Sequence, residues 1–365
     1  MEHDPGDSGR TVSRRTIFPG AIDISMSDIK IFFRKTPVKV ISSVVLFLVF
    51  AGIFSWLIIY PYEQIYAVSN NYDTVFLGAS ESEWGINPII IDELTGSNSY
   101  LLACSGCTLE GRLEMLKSAV KQDSLKTVFV EISYSALNKK MSKFILEKRI
   151  LYFSRIGDFE SRLDCCFRNF SFWDDEHDRV YAEMIYEGLG AWEAILLNKE
   201  ESPYLNKGYD AQENYLESWS AKDIAKKYNT DPVSAKYRSA NITAVKNIIE
   251  LCLAHDIDVV VITMPLSEQE LWIYENMDLF REKMLEILSD YDIPYYDFNL
   301  LKNRQDYLSD EYSYRDSEHL CDVGAKSMSK ILSEIINDRK NGEEIPFAFY
   351  DSYEEAKTHS VYAQR

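Results

Sequence analysis

The chain has 365 residues, 46% of them hydrophobic, enough for one large or two ordinary domains with a substantial core, so disorder is not the default. Its formal charge of −19 is unevenly placed: residues 1–39 hold seven Lys/Arg against five Asp/Glu, residues 40–60 hold none, and the remainder carries −21. So acidic a body is repelled at long range by nucleic acid and anionic lipid, which excludes both as general partners.

Residues 1–39 read as a cytoplasmic tail, polar and loose with Gly, Ser and Asp over 1–29, and with Ile29 to Lys39 leading into the next segment. Val40 to Tyr60 is a run of 21 uncharged residues, long enough as a helix to cross a hydrocarbon core of about 30 Å. Arg34, Lys35 and Lys39 flank its near end, and Trp56, Tyr60 and Tyr62 lie near its far end. That asymmetry predicts a single-pass anchor with a cytoplasmic N-terminus and everything after Pro61 outside. A cleaved signal peptide would have an apolar region of about 7–15 residues and a small-x-small site, and neither is found here.

From residue 72 onward the pattern alternates. A strand over Thr74–Leu77 leads to a Gly-Ala-Ser turn, a short helix around Pro88–Leu94, a strand over Ser99–Ala103 and a helix from about Thr108 to Gln122. A third strand, Thr127–Ile132, is apolar apart from Glu131. The alternation resumes with a helix over Tyr237–His255, a strand over Val259–Thr263, a helix over Glu268–Asp290, a strand over Pro294–Phe298 and a helix over Gly324–Asn337. Five strands alternating with helices predict a flavodoxin-like three-layer α/β/α fold around a parallel sheet of order 2-1-3-4-5. The expected domain spans 72–340.

Within it, the alternation stops between Ser133 and about Ala235. This insertion, 133–235, reads as mostly helical and aromatic (Phe167, Phe170, Phe172, Trp173, Tyr181, Trp192, Tyr204, Tyr215, Trp219). It leaves the sheet at the C-terminal end of the third strand, where a lid, a partner surface or a self-contained subdomain would sit. Residues 341–365 are polar and read as a flexible tail.

The chemistry-bearing residues lie at the same sheet edge. Ser80 ends the turn after the first strand, and a serine needs a base, which itself needs an orienting partner. Asp316 and His319, three residues apart just before the last helix, supply both. Of the other histidines, His3 and His359 fall in tails, His255 ends a helix, and His177 sits in an acidic run. Donors for an oxyanion are the Ser80 amide and that of Gly106, which follows the second strand and lets its N–H approach closely. A different reading uses Cys104-Ser-Gly-Cys107, a C-x-x-C at a strand-to-helix turn, as a thiol-disulfide pair. No disulfide framework is expected from the six cysteines, because a chain this large needs no staples, and the vicinal Cys165-Cys166 does not suggest zinc.

Gly78-Ala-Ser80, Cys104-Ser-Gly106 and Asp316-x-x-His319-Leu, in this order on these elements, resemble the SGNH/GDSL hydrolase superfamily. The chain is most similar to its membrane-anchored branch, which includes the teichoic acid D-alanine transfer protein and the alginate O-acetylation proteins. The resemblance covers about 73–132 and 237–337. It implies Ser80 as nucleophile, His319 as base, Asp316 as its partner, Ser80 and Gly106 as oxyanion donors, and no cofactor or metal. It further implies an extracellular, cell-envelope acyltransferase or esterase acting on acyl groups of a cell-surface glycopolymer, beside a membrane-bound O-acyltransferase. One position departs from the pattern: the oxyanion Asn expected after the third strand is missing. Val130-Glu-Ile-Ser-Tyr134 stands there, with Asn138 the nearest amide. Ser133 or the insertion could compensate, or turnover is slow, or the domain is a non-catalytic partner or polymer-binding module. Glu131 itself reads either as a buried acid of raised pKa or as a solvated strand end.

Overall fold

The computed structural model of the chain describes residues 37, 39–53, 56–57, 71–138, 160, 189–190, 192–198, 206–213, 237–272, 274 and 276–360. Two compact units are present, Met1–Ser55 and Trp56–Arg365. In the first, residues 39–53 are helical, and apolar side chains from Val40 to Ile53 are exposed, Phe47 the most at 70%. Among the described residues no helix is long and apolar enough to cross a membrane. Residues 54–55 and 58–60 of the expected span lie outside the described residues, as does nearly all of the expected tail at 1–39.

The second unit is built on five parallel strands in the order β2-β1-β3-β4-β5: β1 Thr74–Gly78, β2 Ser99–Ala103, β3 Thr127–Glu131, β4 Asp258–Thr263 and β5 Tyr295–Asp297. The register sets Gly78 beside Ala103 and Leu77 beside Val130, so the C-terminal ends of the first three strands are level. Helices alternate with these strands: α1 Ser80–Gly85, α2 Pro88–Thr95, α3 Leu109–Ala119, α4 Tyr134–Asn138, α5 Ser239–Leu253, α6 Glu268–Leu271, α7 Met277–Leu288, α8 Arg304–Tyr307, α9 Asp322–Asn341 and α10 Tyr353–His359.

Strand side chains alternate between the two faces, and each face has its own core. Val75, Leu77, Val128, Val130, Val259 and Val261 pack with apolar residues of α3, α5 and α7. Phe76, Leu101, Phe129, Val260 and Ile262 pack with Ile86, Ile91 and the buried stripe of α9. Phe76 and Phe129 stack at 4.9 Å, joining β1 to β3 beneath the site. Because both faces are covered, β1 to β4 are apolar through their middle residues, which is why they show as short apolar runs. The helix starts follow ordinary capping: Asn87 accepts from the Ile89 amide with Pro88 in the first turn, and Thr108 accepts from the Gly111 amide.

Three regions differ from the sequence expectation. The helix expected over Glu268–Asp290 is two helices, α6 and α7, because Asn276 takes the left-handed conformation at φ 62° and redirects the chain. The segment read as a flexible tail is packed as far as residue 360. Phe349 bridges to Leu301, the Tyr350 amide donates to the Leu300 carbonyl, and the buried Tyr353 hydroxyl donates to Asp297 at 2.6 Å. Its aromatic residues bury surface that its polar composition conceals.

The third region is the insertion. Residues 206–213 form a strap across the sheet edge: the Leu101 amide of β2 donates to the Lys207 carbonyl at 2.9 Å, and the Asp210 amide to the Glu83 carbonyl of α1 at 3.1 Å. The Tyr209 hydroxyl donates to Asp322 at 2.8 Å, and the Asp322 amide returns a bond to the Gln212 carbonyl, tying the strap to the start of α9. Of the aromatic residues named above, Trp192 lies in a described helical stretch, and the others lie outside the described residues.

Candidate active site

The sharp turn after β1 needs Gly78. A Cβ there would lie 2.2 Å from Ser82 Oγ and 2.5 Å from Ser82 Cβ, so only glycine allows α1 to begin two residues after the strand. Ser80 is therefore the first residue of α1, at the C-terminal edge of a central strand.

From the far side comes the loop between α8 and α9. It is held by the Tyr314–Leu320 bridge, by the Cys321 amide donating to the Ser313 carbonyl, and by the Ser267 amide donating to the Ser317 carbonyl. Gly324 lets α9 sit against this loop, since a Cβ there would lie 2.0 Å from the Ser313 carbonyl oxygen. Within the loop, Asp316 Oδ1 accepts from the Glu318 and His319 amides, each at 2.9 Å.

These anchors bring the three sequence-predicted residues into line. Ser80 Oγ lies 2.9 Å from His319 Nε2, and His319 Nδ1 lies 2.8 Å from Asp316 Oδ1. Burial lowers the imidazole pKa, but the bond to Asp316 and the charges of Asp316, Glu81 and Glu318 outweigh it, leaving His319 above its ordinary value. Burial raises the Asp316 pKa, but its bonds from His319 and two amides prevail and hold it below the usual carboxylate range. Trp84, one turn along α1, packs its ring 4.4 Å from the imidazole, and the Arg315 guanidinium covers the indole at 4.6 Å.

Gly106 takes φ 72°, a left-handed conformation suited to glycine, in the turn that follows β2. That turn is tied to α1, because Ser105 Oγ donates to Glu83 Oε2 at 2.7 Å. Glu83 is buried.

At the position of the missing Asn, the solvated reading of Glu131 is wrong. The residue is fully buried and its Oε2 accepts from the Ala79 amide at 3.0 Å. Arg112 of α3, also buried, lies 3.1 Å from the same oxygen and donates to the Glu131 carbonyl. Burial pushes the Glu131 pKa up to about 7 against the pull of Arg112. Asn138 ends α4, where its carbonyl accepts from Arg238. Ser133 lies beyond Glu131, on a pocket of about 40 Å³ that Glu81 and Glu318 also line. Glu318 is pushed up to about 8 by burial and by the neighbouring Glu270, itself buried and raised.

The redox reading of Cys104 and Cys107 does not fit the fold. Both are buried in the core cluster that includes residues of α3, and thiol exchange requires access by a second sulfur. His255 is exposed as expected, and His359 stacks on Tyr350, while His3, His177, Cys165 and Cys166 lie outside the described residues. Glu83, Trp84, Arg112 and the anchoring role of Glu131 were not visible beforehand. A charged or aromatic residue in a short amphipathic segment gives no sign of its partner.

No family model matches the chain, and no curated protein matches it. Among solved structures it is similar to a candidate acylhydrolase from Bacteroides fragilis, at 11% identity and a TM-score of 0.34, over 73% of this chain and 86% of that one. It is also similar to a candidate platelet activating factor from Streptococcus pneumoniae, at 14% identity and a TM-score of 0.34, over 79% of this chain and 98% of that one. Likenesses this distant leave function to the geometry of the site itself.

Proposed function

We propose that the chain is a serine-dependent esterase or acyltransferase of SGNH type. The observation that carries this reading is the continuous relay from Ser80 Oγ through His319 to Asp316, with both links under 3 Å. His319 takes the Ser80 proton as the hydroxyl attacks an ester carbonyl, and Asp316 holds the imidazole with Nδ1 protonated. The Ser80 and Gly106 amides stabilise the oxyanion, His319 returns the proton to the leaving alcohol, and water or a second alcohol then releases the acyl group.

In the finer form of the proposal, the domain is extracytoplasmic and held by residues 40–60, and its substrates are acyl groups of a cell-surface polysaccharide or teichoic acid. It would work beside a membrane-bound O-acyltransferase. The uncharged run from Val40 to Tyr60, helical and exposed over 40–53, supports the anchor, and the motif resemblance supports the substrate class. A non-catalytic partner or polymer-binding module is the second reading, favoured by Glu131 in place of an oxyanion amide. Losing one such donor typically lowers a rate about 10²–10³-fold.

Labelling with a fluorophosphonate separates the two. The full chain should be modified at Ser80, with labelling lost in Ser80→Ala and reduced at least about 10²-fold in His319→Ala. If wild type and Ser80→Ala behave alike towards the probe and towards ester substrates, the catalytic reading fails and the binding module replaces it.

A further inference from the structure

Glu131 and Arg112 form a fully buried ion pair that the proposed reaction does not use. Such pairs contribute little net stability compared with apolar residues of similar volume, because both charges must be stripped of water. Their placement therefore calls for another reason. The pair lies where three elements of the site meet: the Ala79 amide at the end of β1, the end of β3, and α3, which follows the Gly106 turn. Arg112 reaches Glu131 twice, with one nitrogen on the carboxylate and another on the backbone carbonyl. The turn rests directly against this carboxylate, since a Cβ on Gly78 would lie 3.2 Å from Glu131 Oε2.

We infer that Glu131, braced by Arg112, is the positioning residue of the nucleophile turn: its carboxylate fixes the Ala79 amide and thereby the direction in which Ser80 enters α1. The inference rests on Ser80 being the nucleophile. Glu131 stands where β3 would otherwise lead to a side-chain amide, so the strand end contributes alignment of the serine in place of a direct oxyanion donor. A displacement of about 1 Å at a reacting group can cost about 10²-fold in rate, which is the scale on which such alignment matters.

The role has a pH signature. Arg112 from α3, Glu81 from α1, the Ala79 amide and the Ser133 hydroxyl face the carboxylate. Protonation weakens its grip on the Ala79 amide and on Arg112, so reaction at Ser80 requires Glu131 ionised as well as His319 neutral.

The test uses the full chain, a fluorophosphonate as probe, and hydrogen exchange of the 76–84 segment. Glu131→Ala is expected to slow Ser80 labelling about 10²-fold and to speed amide exchange in 76–84 but not in β4. Glu131→Gln keeps an acceptor for Ala79 but, like the protonated acid, lacks the charge that holds Arg112, so its labelling should be at least about tenfold slower than wild type yet faster than that of Glu131→Ala. Its rate should fall on the acid side with the uptake of one proton, where wild type takes up two. Wild-type labelling and exchange in Glu131→Ala overturn the inference. If that variant does not fold, a two-proton limb persisting in Glu131→Gln overturns it instead. If wild type is never labelled, the catalytic reading fails separately, and faster exchange in 76–84 still supports the anchor, whereas unchanged exchange removes it.

Discussion

On the proposed mechanism Ser80 loses its proton to a neutral imidazole, so the residues around His319 help to set the pH at which the site works. Three carboxylates, on Asp316, Glu81 and Glu318, hold the imidazole pKa above its ordinary 6.5 despite burial. The sign follows directly: below the raised pKa the ring is charged and cannot act as base, so reactivity climbs with pH and levels off only above 6.5. Glu81 lies within 3.3 Å of Ser80 Oγ and is the simplest of the three to neutralise, since Asp316 also orients the ring. Glu81→Gln is expected to move the acid limb of the labelling profile to lower pH. A limb that stays fixed, or moves upward, would show that the Glu81 charge does not reach the imidazole.

At the scale of elements, the strap 206–213 ties a described part of the insertion to β2, α1 and α9. Gly208 lets it do so. Its φ is 90°, and a Cβ there would lie 2.0 Å from the Leu101 carbonyl oxygen. Gly342 is a useful contrast, with φ 69° and open space around the same position. Gly342→Ala should cost only backbone strain, about 1–2 kcal/mol. Gly208→Ala adds a backbone clash, so its loss of stability in urea unfolding should exceed that of Gly342→Ala by about 1 kcal/mol or more. Equal losses would mean that the strap yields freely and does not brace the site.

The same elements show what could be read in advance. Val75, Val128 and Val260 lie in unbroken apolar runs, so the five strands and their order were legible. The line from Ser80 through His319 to Asp316 was legible because an acid and an imidazole three residues apart give a local signal. The strap was not, since a Gly flanked by Lys207 and Tyr209 resembles any turn until β2 is beside it. Nor was the pairing of Arg112 with Glu131: on a helix face an arginine reads as solvated, and only the third dimension brings it under β3. The tail failed for the opposite reason, because its charges outnumber the few aromatic residues that hold it down.

At the scale of the whole molecule, charge and hydropathy divide the chain at residue 40. The helical residues 39–53 expose apolar side chains from Val40 to Ile53, a surface that water disfavours. The run continues without charge to Tyr60. On the proposed topology a bilayer covers that surface, Arg34, Lys35 and Lys39 stay on the cytoplasmic side, and the acidic domain faces outward. Cysteine accessibility tests this directly. In intact cells Glu343→Cys, on an exposed position after α9, should react with an impermeant maleimide, and Ser8→Cys should react only after permeabilisation. The described native cysteines are buried, so the unmodified chain gives the background against which both are read. The opposite pattern would place the domain in the cytoplasm, away from any surface polymer. The Ser80 site would then need a different substrate, even if its chemistry were intact.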